Sequence, residues 1–284
     1  MTTEGFLVVL AGIKTTRYVR LSSNIVIFYD QLITFDREVN SIWKSRWTFA
    51  KCLFLVNRYY GLASAIFNTY AFFHPNLTNS LCSGYYNWEG WTNLIGCILA
   101  DIILQMRIYA LYSKNKPITG LIGGSFILCV AASIGVMTYS TRGLVATAVD
   151  ILDGTKFCLT PLVPPHYYLV WLPMLAFESL LCVLAVTRAY RSYSSSGARF
   201  TGQGLFDILI RDSLLYFLAI GATYLTCFLV WRLEQNILVE APNGFSLAIS
   251  CTLGNRMILN LRDANKQEEE SGVHIRLKAV SHAR

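Results

Sequence analysis

Seven apolar stretches, each about as long as a bilayer-spanning helix, account for most of this 284-residue chain. A spanning helix needs about 20 mostly apolar residues at about 1.5 Å rise each, and no soluble domain of this size carries seven such runs. In lipid the backbone must satisfy its own hydrogen bonds, which favours helices. The sequence therefore predicts an all-α polytopic membrane protein, a bundle of seven transmembrane helices at Val19–Phe35, Thr48–Phe72, Trp91–Leu111, Ile118–Tyr139, Tyr168–Ala189, Leu209–Trp231 and Gly244–Leu261.

The composition agrees with a protein that crosses the membrane several times. Hydrophobic residues make up 54% of the chain and charged residues 14%, and the mean hydropathy is positive, as expected for membrane-spanning chains. We expect an integral, multi-pass protein of the plasma membrane or an endomembrane, with the lipid bilayer as a partner. Three regions are predicted: an extracellular or lumenal segment over 1–18, the helical domain over 19–261, and a polar cytoplasmic tail over 262–284.

The net charge of +7 comes largely from basic residues in the short loops. This distribution indicates membrane orientation and argues against a nucleic-acid partner. One side of the predicted bundle holds 14 Lys and Arg residues and the other side holds 6. The positive-inside rule then places the N-terminus outside and the C-terminus in the cytoplasm. Lys14, Arg17 and Arg20 are the local feature that argues against this orientation.

Cysteines and a glycosylation sequon bear on the same orientation. Of the eight cysteines, six lie in predicted helices, where a thiol usually behaves as a small buried hydrophobe. Cys82 and Cys158 lie in loops assigned outside, a compartment that permits disulfides. We expect a bridge between them, with two free thiols as the alternative. Asn76 begins the sequon Asn-Leu-Thr in the same loop as Cys82 and is a glycosylation candidate close to the membrane.

Ionisable residues inside membrane spans are costly, so each is a candidate site. Asp30 in the first span and Arg58 in the second fall in the cytoplasmic half, at depths about 5 Å apart by helical rise. The sequence predicts an ion pair between them, and a structural pair that fixes helix register is the simplest role for it.

Asp101 and Glu178 each fall near the middle of a predicted span. Two midplane carboxyls can coordinate a cation, relay protons or bind an amine-bearing ligand. They can equally be protonated, hydrogen-bonded structural groups, because burial disfavours the charged form of a carboxyl. Both residues are therefore candidates for a ligand or ion site, with this structural alternative left open.

Familiar catalytic signatures are missing from the sequence. There is no His-Glu-x-x-His, no Gly-x-Ser-x-Gly and no phosphate-binding glycine loop. We therefore predict no catalytic residue, no metal site and no cofactor, and we expect that the protein is not an enzyme. The seventh stretch contains no lysine, which excludes a retinal Schiff base there, and it lacks the Asn-Pro-x-x-Tyr signature of rhodopsin-like receptors.

Several short motifs nevertheless look familiar: Phe28–Val39, Ile42-Trp43, Trp47, Leu53–Tyr60, Arg107–Tyr112 and Asn260–Arg262. Together they resemble the multi-pass membrane protein family of mushroom-forming fungi, the basidiomycetes, whose opening domain is of unknown function. The resemblance implies a seven-helix fungal protein and supplies no reaction. It also directs attention to a polar cluster at the inner mouth of the first two helices, namely Asp30, Asp36, Glu38, Trp43, Asn57 and Arg58. In this cluster Asp36 and Glu38 can cap the inner loop or meet Lys51.

These observations favour a receptor-like or sensor-like protein. It would bind a small-molecule ligand between the helices near Asp101 and Glu178, and signal to a cytoplasmic partner through the basic inner loops. The alternative is a transporter or channel that uses the intramembrane carboxylates for proton or ion coupling. Neutralising the two carboxyls distinguishes the two hypotheses, since only the transporter or channel hypothesis predicts a loss of flux.

Overall fold

The computed structural model describes residues 3–74, 77–112, 115–142, 145–152, 155–162, 166–195, 205–233 and 241–282. Within these ranges seven helices have 25 residues or more: α1 Thr3–Ile33, α3 Phe49–Phe73, α4 Asn79–Leu111, α5 Lys116–Thr141, α6 Trp171–Ser195, α7 Leu205–Leu233 and α8 Ala241–His282. A short helix α2, Phe35–Glu38, and a π-helical turn, Val39–Trp43, lie between α1 and α3. A 3₁₀ turn at Tyr167–Val170 leads into α6.

Each predicted apolar stretch falls largely within one long helix, but several helices run further than predicted. α1 begins at Thr3, α4 at Asn79 and α8 continues to His282. The hydropathy boundaries at 18 and 262 are therefore not helix ends, because a helix propagates through polar residues until its backbone is capped or broken. Thr78 supplies such a cap for α4, since its hydroxyl accepts a hydrogen bond from the Leu81 amide at 3.3 Å.

Four of the long helices are apolar and long enough to cross a membrane, judged by length and composition within the described residues. They are Asn79–Leu111, Lys116–Thr141, Tyr167–Arg191 and Leu214–Leu233. The chain is thus a predominantly helical protein of a membrane-embedded type, with the multi-pass organisation that the sequence indicates.

The central element of the packing is α8, which contacts α1, α3, α4 and α7. Two glycines allow these close approaches: a Cβ on Gly61 of α3 would lie 2.9 Å from the Cys251 sulfur, and one on Gly254 of α8 would lie 2.9 Å from Ile103 Cδ1. Large apolar side chains such as Phe177 of α6 and Phe217 of α7 fill the core between the remaining helices.

A β-hairpin, formed by β1, Val145–Leu152, and β2, Thr155–Leu162, has no counterpart among the predicted elements. Its strands pair antiparallel and lie against α4. The structure joins Cys82 of α4 to Cys158 of β2 in a disulfide, so both cysteines lie in regular elements and not in loops. The Tyr86 hydroxyl reinforces this contact by donating to the Cys158 carbonyl at 3.0 Å. The glycosylation candidate Asn76 lies outside the described residues.

Candidate functional site

Five carboxyl side chains are buried among the described residues, and they fall into two groups. Asp30, Glu38 and Glu89 each pair with an arginine. Asp101 and Glu178 are 0% and 2% exposed, and in the described part of the chain none of their four carboxyl oxygens has a hydrogen-bond partner. The two carboxyls predicted from the sequence are thus the ones that the surrounding structure leaves unsatisfied.

Asp101 and Glu178 come from neighbouring helices, α4 and α6, which contact each other. The two carboxyls are close enough for their charges to interact. Gly221 of α7 forms one wall, because a Cβ built there would lie 3.7 Å from Glu178 Cγ. The structure therefore brings the two predicted residues together into one carboxyl pair.

Among the described residues, the titratable groups that interact with the pair are thiols and a phenol. Cys97 on α4, Cys129 on α5, Cys182 on α6 and Tyr224 on α7 interact electrostatically with one or both carboxyls. Two carboxylates held together in an apolar core without a counter-ion are strongly disfavoured. The pair must therefore hold a proton or another cation to remain buried.

A small cavity lies one helical turn from the pair. A cavity of about 10 Å³ is lined by Cys97, Asn93 and Asn243, among others. Cys97 lies one helical turn from Asp101, on the same face of α4. A volume of this size is about what one water needs, so this cavity fits water or a small ion and not an organic ligand.

The same two helices are clasped together at their C-terminal ends. The Tyr112 hydroxyl, just after α4, donates to the Leu184 carbonyl of α6 at 2.8 Å and lies 3.0 Å from Thr187 Oγ1. Arg188 Nε donates in return to the Leu111 carbonyl at 3.2 Å. Leu111 and Arg188 each stand ten residues beyond a carboxyl of the pair, which is about 15 Å along the helix.

The predicted ion pair between Asp30 and Arg58 is not formed. Arg58 Nε lies 2.5 Å from Glu38 Oε2, with both side chains fully buried, and Asp30 Oδ1 accepts from Arg256 Nε at 2.6 Å. The reason is the chain reversal after α1, where the Thr34 hydroxyl donates to the Asp30 carbonyl at 2.6 Å and α2 brings Glu38 back to α3. Arg256, in the interior of α8, is therefore the ion-pair partner of Asp30.

Glu38 is the centre of a larger network, which we call the inner lock. Its Oε1 accepts from Trp43 Nε1 at 2.9 Å and from the Tyr59 hydroxyl at 3.0 Å. Of the two alternatives for Asp36 and Glu38, the contact with Lys51 is not the one formed, because the Lys51 amine donates to the carbonyls of Trp43 and Ser45 at 3.2 and 2.9 Å.

The inner lock extends to α8. Asn57 Nδ2 donates to Asn255 Oδ1 at 2.9 Å and to the Cys251 carbonyl at 3.1 Å. Arg37 pairs with Asp263 at 2.7 Å, and Arg262 donates to the Ser41 carbonyl at 2.8 Å. The turn between α1 and α3 is thereby attached to α8 at several points.

A second buried ion pair, between Arg20 of α1 and Glu89 of α4, was missed by sequence reasoning. In the sequence Arg20 is one of the N-terminal charges, and Glu89 precedes the predicted start of the third span. The available signal was the spacing on α4, where Glu89, Asn93, Cys97 and Asp101 recur every four residues and so share one helix face.

A family model described as a family of unknown function (DUF6533) matches residues 18–63. This segment contains the second half of α1, the turn and the first part of α3, so the resemblance to a domain of unknown function is confirmed for residues 18–63. No match to a curated protein was found. The matched segment holds much of the inner lock, whereas Asp101 and Glu178 lie outside it.

Proposed function

We propose that this protein is a seven-helix membrane sensor whose Asp101–Glu178 pair binds a small cation, with the proton as the simplest one. The observation that carries the proposal is the contrast among the five buried carboxyls, of which only these two lack an arginine partner within the described residues. An unsatisfied, buried polar pair is unusual in a native structure and needs a functional explanation. The proposal assigns binding to the pair and no catalytic step.

Seven spans are supported by the way in which the less apolar helices pack. α1, α3 and α8 contain the polar residues that lower their hydropathy, and those residues face one another. Asn24 of α1 donates to Thr69 of α3 at 2.9 Å, and Asn57 of α3 donates to Asn255 of α8. Polar groups that are satisfied inside the bundle do not prevent a helix from crossing lipid.

An outside N-terminus is supported by the partners of the N-terminal arginines. Arg20 is paired with Glu89, while Arg17 donates to the Lys156 carbonyl at 3.2 Å and its guanidinium carbon lies 5.4 Å from the centroid of the Phe157 ring. These charges bind the protein itself, so they weigh little in the positive-inside comparison. The remaining distribution favours an outside N-terminus and a cytoplasmic C-terminus.

A sensor also needs a connection from the pair to the cytoplasmic side. Taking up a cation removes the repulsion between the carboxyls of α4 and α6 and so favours their closer packing. The clasp made by Tyr112 and Arg188 joins the same two helices about 15 Å away. We propose that this end of the bundle presents the signal to a cytoplasmic partner. The small neighbouring cavity leads us to a small cation as the ligand, in place of the organic molecule expected from sequence.

The second candidate is proton- or ion-coupled transport, which the polar stripe on α4 favours. Glu89, Asn93 and Cys97 line two small cavities that follow one another toward Asp101. A chain of waters along such a stripe would serve as a path for protons from the outer end of the bundle.

The test compares Asp101→Asn and Glu178→Gln with Asp36→Asn, which neutralises an exposed carboxyl. Full-length protein in proteoliposomes is assayed for proton and Na⁺ flux, and the inner ends of α4 and α6 are followed by hydrogen–deuterium exchange at pH 5 and pH 8. The sensor proposal expects no flux, a pH-dependent change in amide protection (the observed exchange rate relative to the intrinsic rate at the same pH) in the wild type and the control, and no such change in either pair variant. Flux that is lost in the pair variants establishes the transporter, and variants that respond like the wild type show that the pair is not the site.

A further inference from the structure

Two grooves are lined in part by residues 43–48, in the turn between α2 and α3. The first, which we call the basic groove, has a volume of about 410 Å³ and is lined by four cationic side chains. Lys44 and Arg46 come from the turn, and Arg262 and Lys266 from α8. Its other lining residues are neutral and polar, so the lining carries four positive charges and is suited to an anion.

The second groove is apolar and aromatic and has a volume of about 630 Å³. It is lined by Trp43, Trp47, Lys51, Leu55 and Tyr59. From Lys51 to Tyr59 the groove follows two turns of α3, about 12 Å. Trp47 is 72% exposed and Trp43 is 56% exposed. Exposed tryptophans are typical of the membrane–water interface.

One short segment supplies both grooves. Within residues 43–48 the two tryptophans line the aromatic groove, and Lys44, Ser45, Arg46 and Thr48 line the basic groove. A ligand that fills both must therefore be anionic at one end and apolar at the other. Phospholipids with a net negative headgroup have this chemistry and are present wherever the bundle meets a membrane.

We infer that these two grooves form a binding site for an anionic phospholipid, with its phosphate in the basic groove and an acyl chain against the tryptophans and α3. The lipid comes from the leaflet that this end of the bundle faces. The site is independent of the carboxyl pair, so it stands whether or not the protein is a sensor.

The turn is held in place before any lipid binds. Arg262 donates to the Ser41 carbonyl, to Ser45 Oγ and to Thr48 Oγ1, while the Lys51 amine lies 4.7 Å from the centroid of the Trp47 ring. A site that is already ordered loses less entropy when its ligand binds. Burial also lowers the pKa of the Arg262 guanidinium, and a phosphate beside it would favour the charged form.

The experiment uses full-length protein in phosphatidylcholine nanodiscs that contain phosphatidylserine, with the retained lipid measured by native mass spectrometry. The double variant Lys44→Gln with Arg46→Gln removes two exposed cations of the groove. Lys116→Gln with Arg191→Gln removes two exposed cations elsewhere and is the matched control. Because one cation near an anionic surface contributes about a fivefold gain, we expect roughly 30-fold weaker phosphatidylserine retention in the groove variant and wild-type retention in the control.

Trp47→Ala tests the aromatic groove, with Trp88→Ala as its control at the other end of the bundle. We expect weaker retention of phosphatidylserine only in the Trp47 variant. Equal retention of phosphatidylcholine, or a groove variant that behaves like its control, overturns the proposal. Competition by soluble glycerophosphoserine at the same concentration as the lipid also overturns it, since it would identify a phosphate site without a role for the acyl chain.

Discussion

The buried pair between Glu38 and Arg58 allows a quantitative test of the inner lock. Glu38→Gln keeps the shape of the side chain and an oxygen that can accept from Trp43 and Tyr59, but it leaves the Arg58 guanidinium without its carboxylate. Both charged side chains are fully buried at a separation of 2.5 Å. Breaking a buried ion pair by removing one partner costs about 3–5 kcal/mol, so we expect a loss of that size in the free energy of unfolding.

The measurement is reversible unfolding of the full-length protein in mixed micelles, followed by the circular dichroism of the helices. Arg37→Gln is the control, because its pair with Asp263 is about one-third exposed and such pairs contribute about 0–1 kcal/mol. A third variant, Glu38→Gln with Arg58→Met, removes the unpaired cation and should recover part of the loss. A Glu38→Gln protein that is no less stable than the Arg37→Gln control would refute the view that this pair holds the turn.

Three further predictions concern other parts of the bundle. Asp101→Asn combined with Glu178→Gln should raise the thermal stability in the absence of added Na⁺, because the neutral amides need no bound cation. The thermal stability of this variant should also be independent of the Na⁺ concentration, which thermal denaturation at a series of Na⁺ concentrations checks. Gly254→Val should lower the free energy of unfolding by about 1–3 kcal/mol, because the added side chain overpacks against Ile103. Gly123→Val is the control and should leave that free energy unchanged, since Gly123 has no close neighbour among the described residues. Cys82→Ser should lower it by about 2–4 kcal/mol and make the protein insensitive to reductant, and a wild-type protein that reductant leaves unchanged would contradict the bridge to Cys158.

Hydropathy was sufficient to place the long helices, because the apolar content of each stretch reports burial in lipid or core directly. Hydropathy does not predict which charged side chains form ion pairs, since the pairing depends on where the chain turns between helices. Depth in the membrane alone pairs Arg58 with Asp30. The helix break at Thr34, which brings Glu38 back to α3, cannot be detected from hydropathy. The hairpin could have been found: the dipeptide Asp153-Gly154 stands between its two strands in the sequence, and Asp-Gly is a common hairpin-turn signal.

The matched family segment contains much of the inner lock and neither carboxyl of the Asp101–Glu178 pair. Residues 18–63 supply Asp30 and Asn57, whose partners Arg256 and Asn255 lie about 200 residues later on α8. Expressed alone, this segment would leave those groups buried without partners, so we expect it to fold only with α8. In the inner lock every buried carboxylate has an arginine, and such an arrangement fixes a structure. At the Asp101–Glu178 pair the carboxyls have no hydrogen-bond partner among the described residues, which leaves both of them open to the cation binding that we propose.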